Sequence, residues 1–326
     1  MTATAQAALD GSRVAAGGRR TAAGKVVGGA AYAGAMTQVR ALSPSRAADF
    51  MQCPLMYRFR VVDRIPTAPS PAAARGTLVH AVLERLFDLP AEQRTVAAAV
   101  ALVRPQWARL VEEQAELAGV LDAGVDEVAE VDVEGRWLDG AAQLVRQWFD
   151  LEDPTRLEPA ERELYVETEV DGLVLRGYVD RLDVAADGAL RVVDYKTGRS
   201  PSELFEGKAL FQMKFYALVL WRLRGVVPRM LQLVYLGNGE IVRYIPDEAD
   251  LLAVERKVKA LWAAIERAAV DGDWRPRQSR LCDWCDYKEY CPLWGGTPPP
   301  LPDDAVRRAL DPAAVGAVDV VSATSD

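Results

Sequence analysis

One histidine in 326 residues is the scarcest chemistry of this chain, and it excludes every site built on several imidazoles. Cysteine is nearly as rare: four residues are too few to staple a secreted fold of this length. No apolar run reaches the ~18 residues that a membrane-crossing helix needs, so no span is expected. Positive charge is also in deficit, with 39 Lys and Arg against 47 Asp and Glu and a net charge of −8. That balance excludes a broadly basic nucleic-acid coat, while a local basic groove stays compatible with it. The rest is ordinary globular composition, 50% apolar and 26% charged, on a chain long enough for a large core.

Residues 1–40 hold 12 Ala and 7 Gly, with five basic residues and a single acid, Asp10. Glycine pairs interrupt every apolar stretch there, so no secretory h-region forms. The stretch reads as a flexible tail, or as the product of a start placed too far upstream. With no export signal and no disulfide framework, the expected compartment is the cytoplasm. Residues 296–326, rich in Pro and Asp, read as a second loose tail with one short helix near 304–310. Between the tails, 41–295 reads as one domain. Helical spacing is expected over 43–62, 75–89, 203–224 and 251–270. The stretch 91–160 carries helical spacing and no strand signal, and reads as an all-helical insertion. Strand patterns fill 164–170, 173–184, 190–196, 230–236 and 240–245, with turns at Asp171-Gly172, Asp187-Gly188 and Asn238-Gly239. The class is α/β.

Four constellations carry chemistry. Asp194 and Lys196 share one strand face by the period of two, and a hairpin can bring Asp180 beside them. Two carboxylates and a lysine suit a Mg²⁺ or Mn²⁺ phosphodiesterase: hard oxygen ligands hold the ion, and the lysine offsets developing charge. The alternative is a solvated face of alternating charges, but Asp194 follows the apolar run from Leu190 to Val193, and a buried carboxylate needs partners. His80 is a candidate third ligand, with Glu84 one turn along the same helix face. Gln212 and Tyr216, also one turn apart, offer an amide and a phenol toward the same place. Cys282, Cys285 and Cys291 form a compact triplet that Cys53, 229 positions earlier, would complete. Four thiolates can hold zinc or an iron–sulfur cluster, and either would clamp the two ends of the chain together.

In this order the motifs resemble the RecB-like branch of the PD-(D/E)XK nucleases. The likeness is to the iron–sulfur subgroup that includes CRISPR-associated adaptation exonucleases and AddB-type nuclease domains. The residues that carry it are Ser43-Pro44-Ser45 with Cys53-Pro54, Gly76-x₃-His80, Gly177-Tyr178-Val179-Asp180-Arg181, Asp194-Tyr195-Lys196-Thr197-Gly198, Gln212-x₃-Tyr216 and the cysteine triplet ending in Cys291-Pro292. The resemblance implies a restriction-endonuclease-like core, a central mixed sheet flanked by helices, with an iron–sulfur clamp in which segment 274–295 meets the N-terminal helix. It implies His80, Asp180, Asp194 and the backbone carbonyl of Tyr195 as ligands of Mg²⁺ or Mn²⁺, and Lys196 as catalytic lysine. Gln212 and Tyr216 would contact DNA or support the metal site, and Cys53, Cys282, Cys285 and Cys291 would hold a 4Fe-4S cluster. Asp194 stands where the family often has Glu. No helicase motif or Walker loop accompanies the nuclease motifs.

The activity implied is a metal-dependent DNA exonuclease on single strands or ends, in repair or recombination, with little sequence specificity. Alternatives are a catalytically silent DNA-binding scaffold, a nuclease subunit dependent on a separate helicase or other repair protein, and, more weakly, a zinc hydrolase. Candidate phosphate contacts are Arg58, Arg60, Arg181, Arg199, Arg275, Arg277 and Arg280. Trp274, Trp284 and Tyr287 are candidates either for base stacking or for packing around the cysteines.

Overall fold

The computed structural model describes residues 40–121, 132–200 and 206–310. Residues 1–39 and 311–326, read above as tail sequence, lie outside them. A short strand, β1 (Ala41–Leu42), leads into Ser43, whose hydroxyl caps α1 (Pro44–Gln52). One continuous helix over 43–62 does not form. Cys53 is extended, with φ −159° and ψ 113°, because the Pro54 ring disfavours the helical region for the residue before it. The helix restarts as α2 (Pro54–Tyr57) and ends in a π-helical turn, Arg58–Val62. The next helix, α3 (Pro71–Leu86), starts a turn earlier than the apolar spacing suggests, because Ser70 caps it and Pro71 occupies its first position.

The stretch between α3 and the sheet is helical where described: α4 (Val96–Ala101), α5 (Val103–Glu113) and α6 (Val133–Leu151). Then β2 (Glu161–Val170) and β3 (Leu173–Val184) form a hairpin whose turn residues Asp171 and Gly172 both take positive φ, 51° and 79°. That turn matches the right-handed twist of the strands it joins. β4 (Leu190–Lys196) continues antiparallel, and α7 (Glu206–Arg224) crosses over to β5 (Met230–Tyr235), parallel to β4. β6 (Glu240–Tyr244) closes the mixed sheet in the order β1-β3-β4-β5-β6, with β2 on β3. α8 (Glu248–Asp271) and α9 (Ala305–Leu310) follow.

Helices cover both faces, which makes this the α/β layering the strand pattern predicts. On one face Leu190, Val192, Leu231 and Leu233 pack with Phe215 and Leu218 of α7 and Val258 of α8. On the other, Val193, Tyr195 and Val234 pack with Leu78 and Val82 of α3 and Val145 and Trp148 of α6. Alternate residues of β4 thus serve two separate cores, which explains why the strand reads as a continuous apolar run.

The C-terminal stretch differs from its reading as loose chain. Within 296–310, Arg58 bonds the Pro299 carbonyl, the Tyr57 hydroxyl donates to the Ala309 carbonyl at 2.8 Å, and Ala305, Ala309 and Leu310 are buried. This last helix packs against α8 and the π-helical turn, partners that composition does not reveal. Among the described residues no helix is long and apolar enough to cross a membrane.

Candidate active site

β2 occupies one edge of β3. The other edge is shared: β1 pairs with Val174 and Leu175, and β4 pairs with Arg181 to Val184. Residues 176–180 pair with neither, so the sheet forks there. Asp180 stands at the root of the fork, and Asp194, Tyr195 and Lys196 sit on the diverging end of β4. α3 brings His80 from one side, while α7 brings Gln212 and Tyr216. All of these expected site residues therefore meet in one place.

Their contacts are specific. His80 Nε2 lies 2.9 Å from the Tyr195 carbonyl, and its Nδ1 lies 3.5 Å from Asp180 Oδ2. The Tyr195 backbone N–H donates to the same Asp180 oxygen at 2.8 Å. Lys196 Nζ stands 2.9 Å from Asp194 Oδ2 and donates to Gln212 Oε1 at 3.1 Å. Gln212 in turn donates to the Tyr216 hydroxyl at 3.3 Å. The Tyr216 ring lies against Gly177, and a Cβ there would approach its Cε1 to 2.6 Å. Glycine at this position is thus a condition of the ring's seat. Gly177→Ala is expected to displace Tyr216 and cost about 1–3 kcal/mol by overpacking, measured by urea unfolding.

Sequence reasoning missed Glu163. Its carboxylate joins His80 and Asp180 in a group whose ligand atoms lie within 4.8 Å of one another. The signal was the hairpin register: Leu164 pairs with Val179 and Arg162 with Arg181, so Glu163 falls opposite Asp180. Its φ of 45° is rare for a non-glycine residue in a strand and interrupts the regular ladder beside the site. Burial, and after it the charges of Asp180, Glu84 and Asp194, push the Glu163 carboxyl up to about 8. Burial and then Asp194 push Asp180 up to about 6, against the pull of His80 and Lys196. Glu84 contributes its charge to this cluster from α3.

This arrangement fits a divalent cation. Asp194 is 2% exposed, and its Oδ2 receives no hydrogen bond of good geometry although Lys196 is near. The donors are mainly carboxylate and carbonyl oxygens with one imidazole, a set that suits Mg²⁺ or Mn²⁺. The 2.9 Å between His80 Nε2 and the Tyr195 oxygen also matches the separation of neighbouring ligands on an octahedral ion, about 3 Å.

A stability consequence follows. Without metal, the folded chain keeps protons on Glu163 and Asp180 that the unfolded chain releases near its ordinary carboxyl pKa. The unfolded state therefore gains relative to the folded one as pH rises toward about 8. A bound cation displaces those protons. The Mn²⁺-induced rise in melting temperature is expected to be larger near pH 8 than near pH 5, read from paired melts in Mn²⁺ and EDTA.

Other expected contacts are placed elsewhere. Arg181 is 1% exposed: both Glu152 oxygens accept from it, at 2.7 and 2.8 Å, and it bonds the Tyr195 hydroxyl. It braces Tyr195 from inside the core and has no surface for DNA. Local alternation breaks at Asp180, and this turns Arg181 inward. Arg58 is buried against Asp63, and Arg60 pairs with Asp49 at 2.7 Å. Trp274 and Tyr287 pack in the core beside Tyr57 and Phe59, so for these two the packing alternative holds. Trp284 is 76% exposed. Arg199, Arg275, Arg277 and Arg280 are at the surface, where Arg275 pairs with Asp273 and Arg277 bonds the Met51 carbonyl.

The cysteines converge from both ends of the chain. Cys53 Sγ accepts from the Arg277 N–H at 3.4 Å, and Cys282 Sγ accepts from the Ser279 N–H at 3.3 Å. Burial, with the charges of Cys53 and Cys291 adding to it, pushes the Cys285 thiol up. All four are half-buried free thiols. Among the described residues, no three of the sulfurs lie within 4.8 Å of one another. Thiolates sharing one tetrahedral zinc would sit about 3.8 Å apart.

A profile of the PD-(D/E)XK nuclease superfamily matches residues 41–292, the span that contains the fork and the cysteines. The chain is 31% identical over 278 residues to the gene 69 protein of Mycobacterium phage D29, covering 79% of this chain and 100% of that one. It is 25% identical over 297 residues to the gene 69 protein of Mycobacterium phage L5, with the same coverage of 79% and 100%. A solved structure, a candidate exonuclease from Eubacterium rectale, aligns with a TM-score of 0.48 at 13% identity, covering 76% of this chain and 88% of that one.

Proposed function

This chain belongs to the PD-(D/E)XK nuclease superfamily, and from that premise we propose that it is a metal-dependent DNA exonuclease acting on single strands or ends, in DNA repair or recombination. The observation that supports the reading is the fork itself: His80 contacts both Asp180 and the Tyr195 carbonyl, the Asp194 charge acts on Asp180, and Lys196 stands between Asp194 and Gln212. A scaffold protein has no need of a buried carboxylate pair and a lysine held this way.

When bound there, a divalent cation polarises a phosphodiester and makes a water molecule more acidic. The chain supplies the rest. His80, Asp180 and Asp194 would hold the ion, and the Tyr195 N–H fixes the Asp180 oxygen that faces His80. Gln212, seated by Tyr216 on Gly177, aims the Lys196 ammonium beside Asp194. That ammonium orients the attacking water and offsets negative charge growing on the phosphoryl oxygens. Cys53, Cys282, Cys285 and Cys291 would hold a 4Fe-4S cluster that fixes the 274–295 segment to the N-terminal helices.

Glu163 joins this site beyond the residues the motifs name. Glu163→Gln is expected to weaken Mn²⁺ binding about 10–100-fold, read by electron paramagnetic resonance of free Mn²⁺. Exonuclease action is tested with linear and circular single-stranded DNA of one sequence in Mn²⁺. Progressive loss of the linear form with the circle intact supports the reading, and equal cutting of both overturns it in favour of an endonuclease.

A further inference from the structure

Gln232 is an amide in the middle of the sheet, 1% exposed, on a strand otherwise filled with apolar residues. It donates to Glu152 Oε1 at 3.0 Å and accepts from Arg243 Nε at 3.1 Å. Glu152 is gripped at both oxygens by buried Arg181. A buried ion pair of this kind adds little stability compared with apolar side chains of the same volume. Here it ends at the surface, where it fixes the guanidinium of Arg243.

That guanidinium lines a groove of 340 Å³ together with Glu152, Asp153, Arg156, Arg191 and Gln232. The groove opens at the start of β4. Arg191 precedes Asp194 by three residues, about 10 Å of strand, so this is not the metal position. Three guanidiniums that line it, those of Arg156, Arg191 and Arg243, outnumber its two carboxylates, Glu152 and Asp153, with buried Arg181 paired to Asp183 behind them. The carboxylates are already engaged: Glu152 by Arg181, Asp183 by Arg181 and Arg191, and Asp153 by the N–H and hydroxyl of Thr155. Among the described residues no salt bridge forms at Arg243 or Arg156, and Arg156 acts on Asp153 only through its charge. A positive excess on a chain of net charge −8 is thus concentrated on two exposed guanidiniums, one of them preorganised.

We propose that this groove binds a phosphate monoester, with Arg243 and Arg156 on the phosphate and room for the nucleoside attached to it. Its volume falls within the range of small-molecule sites, about 300–1,000 Å³. Arg243 presents its terminal nitrogens to the anion in the fork geometry that phosphate oxygens accept. Such a monoester comes either from a free mononucleotide or from the phosphorylated end of a strand. The inference stands on the groove's own side chains, so a failed cleavage assay would leave it intact.

The test is isothermal titration calorimetry on the full-length protein in EDTA, with inorganic phosphate, a nucleoside 5′-monophosphate and a 5′-phosphorylated oligonucleotide. The wild type is expected to bind the monophosphate saturably at one site. Arg156→Gln and Arg243→Gln are each expected to weaken binding about tenfold or more, the loss of one charge-assisted hydrogen bond. Arg229→Gln, an exposed arginine outside the groove paired with Asp187, serves as a control and is expected to bind like the wild type. Oligonucleotide binding stronger than mononucleotide binding identifies a strand end as the ligand, and the reverse identifies the free nucleotide. No saturable heat in the wild type, or equal affinity in Arg156→Gln, an exposed side chain that forms no salt bridge among the described residues, overturns the proposal.

Discussion

Lys196→Met is expected to lower the proposed metal-dependent DNA hydrolysis by about 10²–10³-fold, the usual cost of removing one preorganised group that stabilises transition-state charge. The fork explains why so much rests on one side chain. Lys196 is 14% exposed, within 2.9 Å of Asp194 and 3.1 Å of Gln212, so its ammonium is held where it is needed before substrate arrives. Methionine keeps the volume of the stem and removes only the charge. Because Asp194 then loses its nearest cation inside a buried site, the metal-free variant is expected to melt lower than the wild type. Added Mn²⁺ is expected to restore much of that difference, since the ion offers Asp194 a new partner. The check is a single-turnover cleavage rate with melting curves in Mn²⁺ and in EDTA. A rate within about threefold of wild type would remove Lys196 from the chemistry.

Cys53→Ser is expected to have the second large effect, and it falls on the fold. Cys53 is the N-terminal partner of a contact that spans 224 residues, since its sulfur accepts from the Arg277 N–H. Around it, Phe50 and Tyr57 pack on Trp274, and Phe59 packs on Tyr287 and Tyr290. A bound cluster would close that long loop and so remove much of the freedom of the unfolded chain. Serine is expected to abolish the brown absorption of anaerobically purified protein and to loosen the backbone around the surface residues Arg277 and Arg280, so that trypsin cuts there faster than in the wild type while the sheet stays protected. Colourless wild-type protein carrying stoichiometric zinc would contradict the cluster.

Much of this was legible in the residues, for reasons that can be named. Val193-Asp194-Tyr195-Lys196 places a carboxylate after an apolar run, and period two sets the lysine on its face. Asp171-Gly172 and Asn238-Gly239 announce their turns because only certain residues tolerate positive φ. Other features depend on partners distant in sequence. β1 is two residues long and exists only because β3 offers it an unpaired edge. The break at Cys53 was readable from Pro54, yet apolar spacing on both sides suggested one helix. Arg181 looked like a phosphate contact because it follows Asp180, and only the inward turn of β3 toward Glu152 buries it. Glu163 carried no motif at all. Its role emerges once the hairpin register sets it across from Asp180.

The most direct test of the central claim is hydrolysis of linear single-stranded DNA by protein stripped with EDTA, before and after Mn²⁺ is restored, beside an Asp194→Asn variant. The fork as described predicts silence in EDTA, recovery of wild-type cleavage with Mn²⁺, and continued silence of the variant. Cleavage that persists in EDTA, or that Asp194→Asn retains, would contradict it.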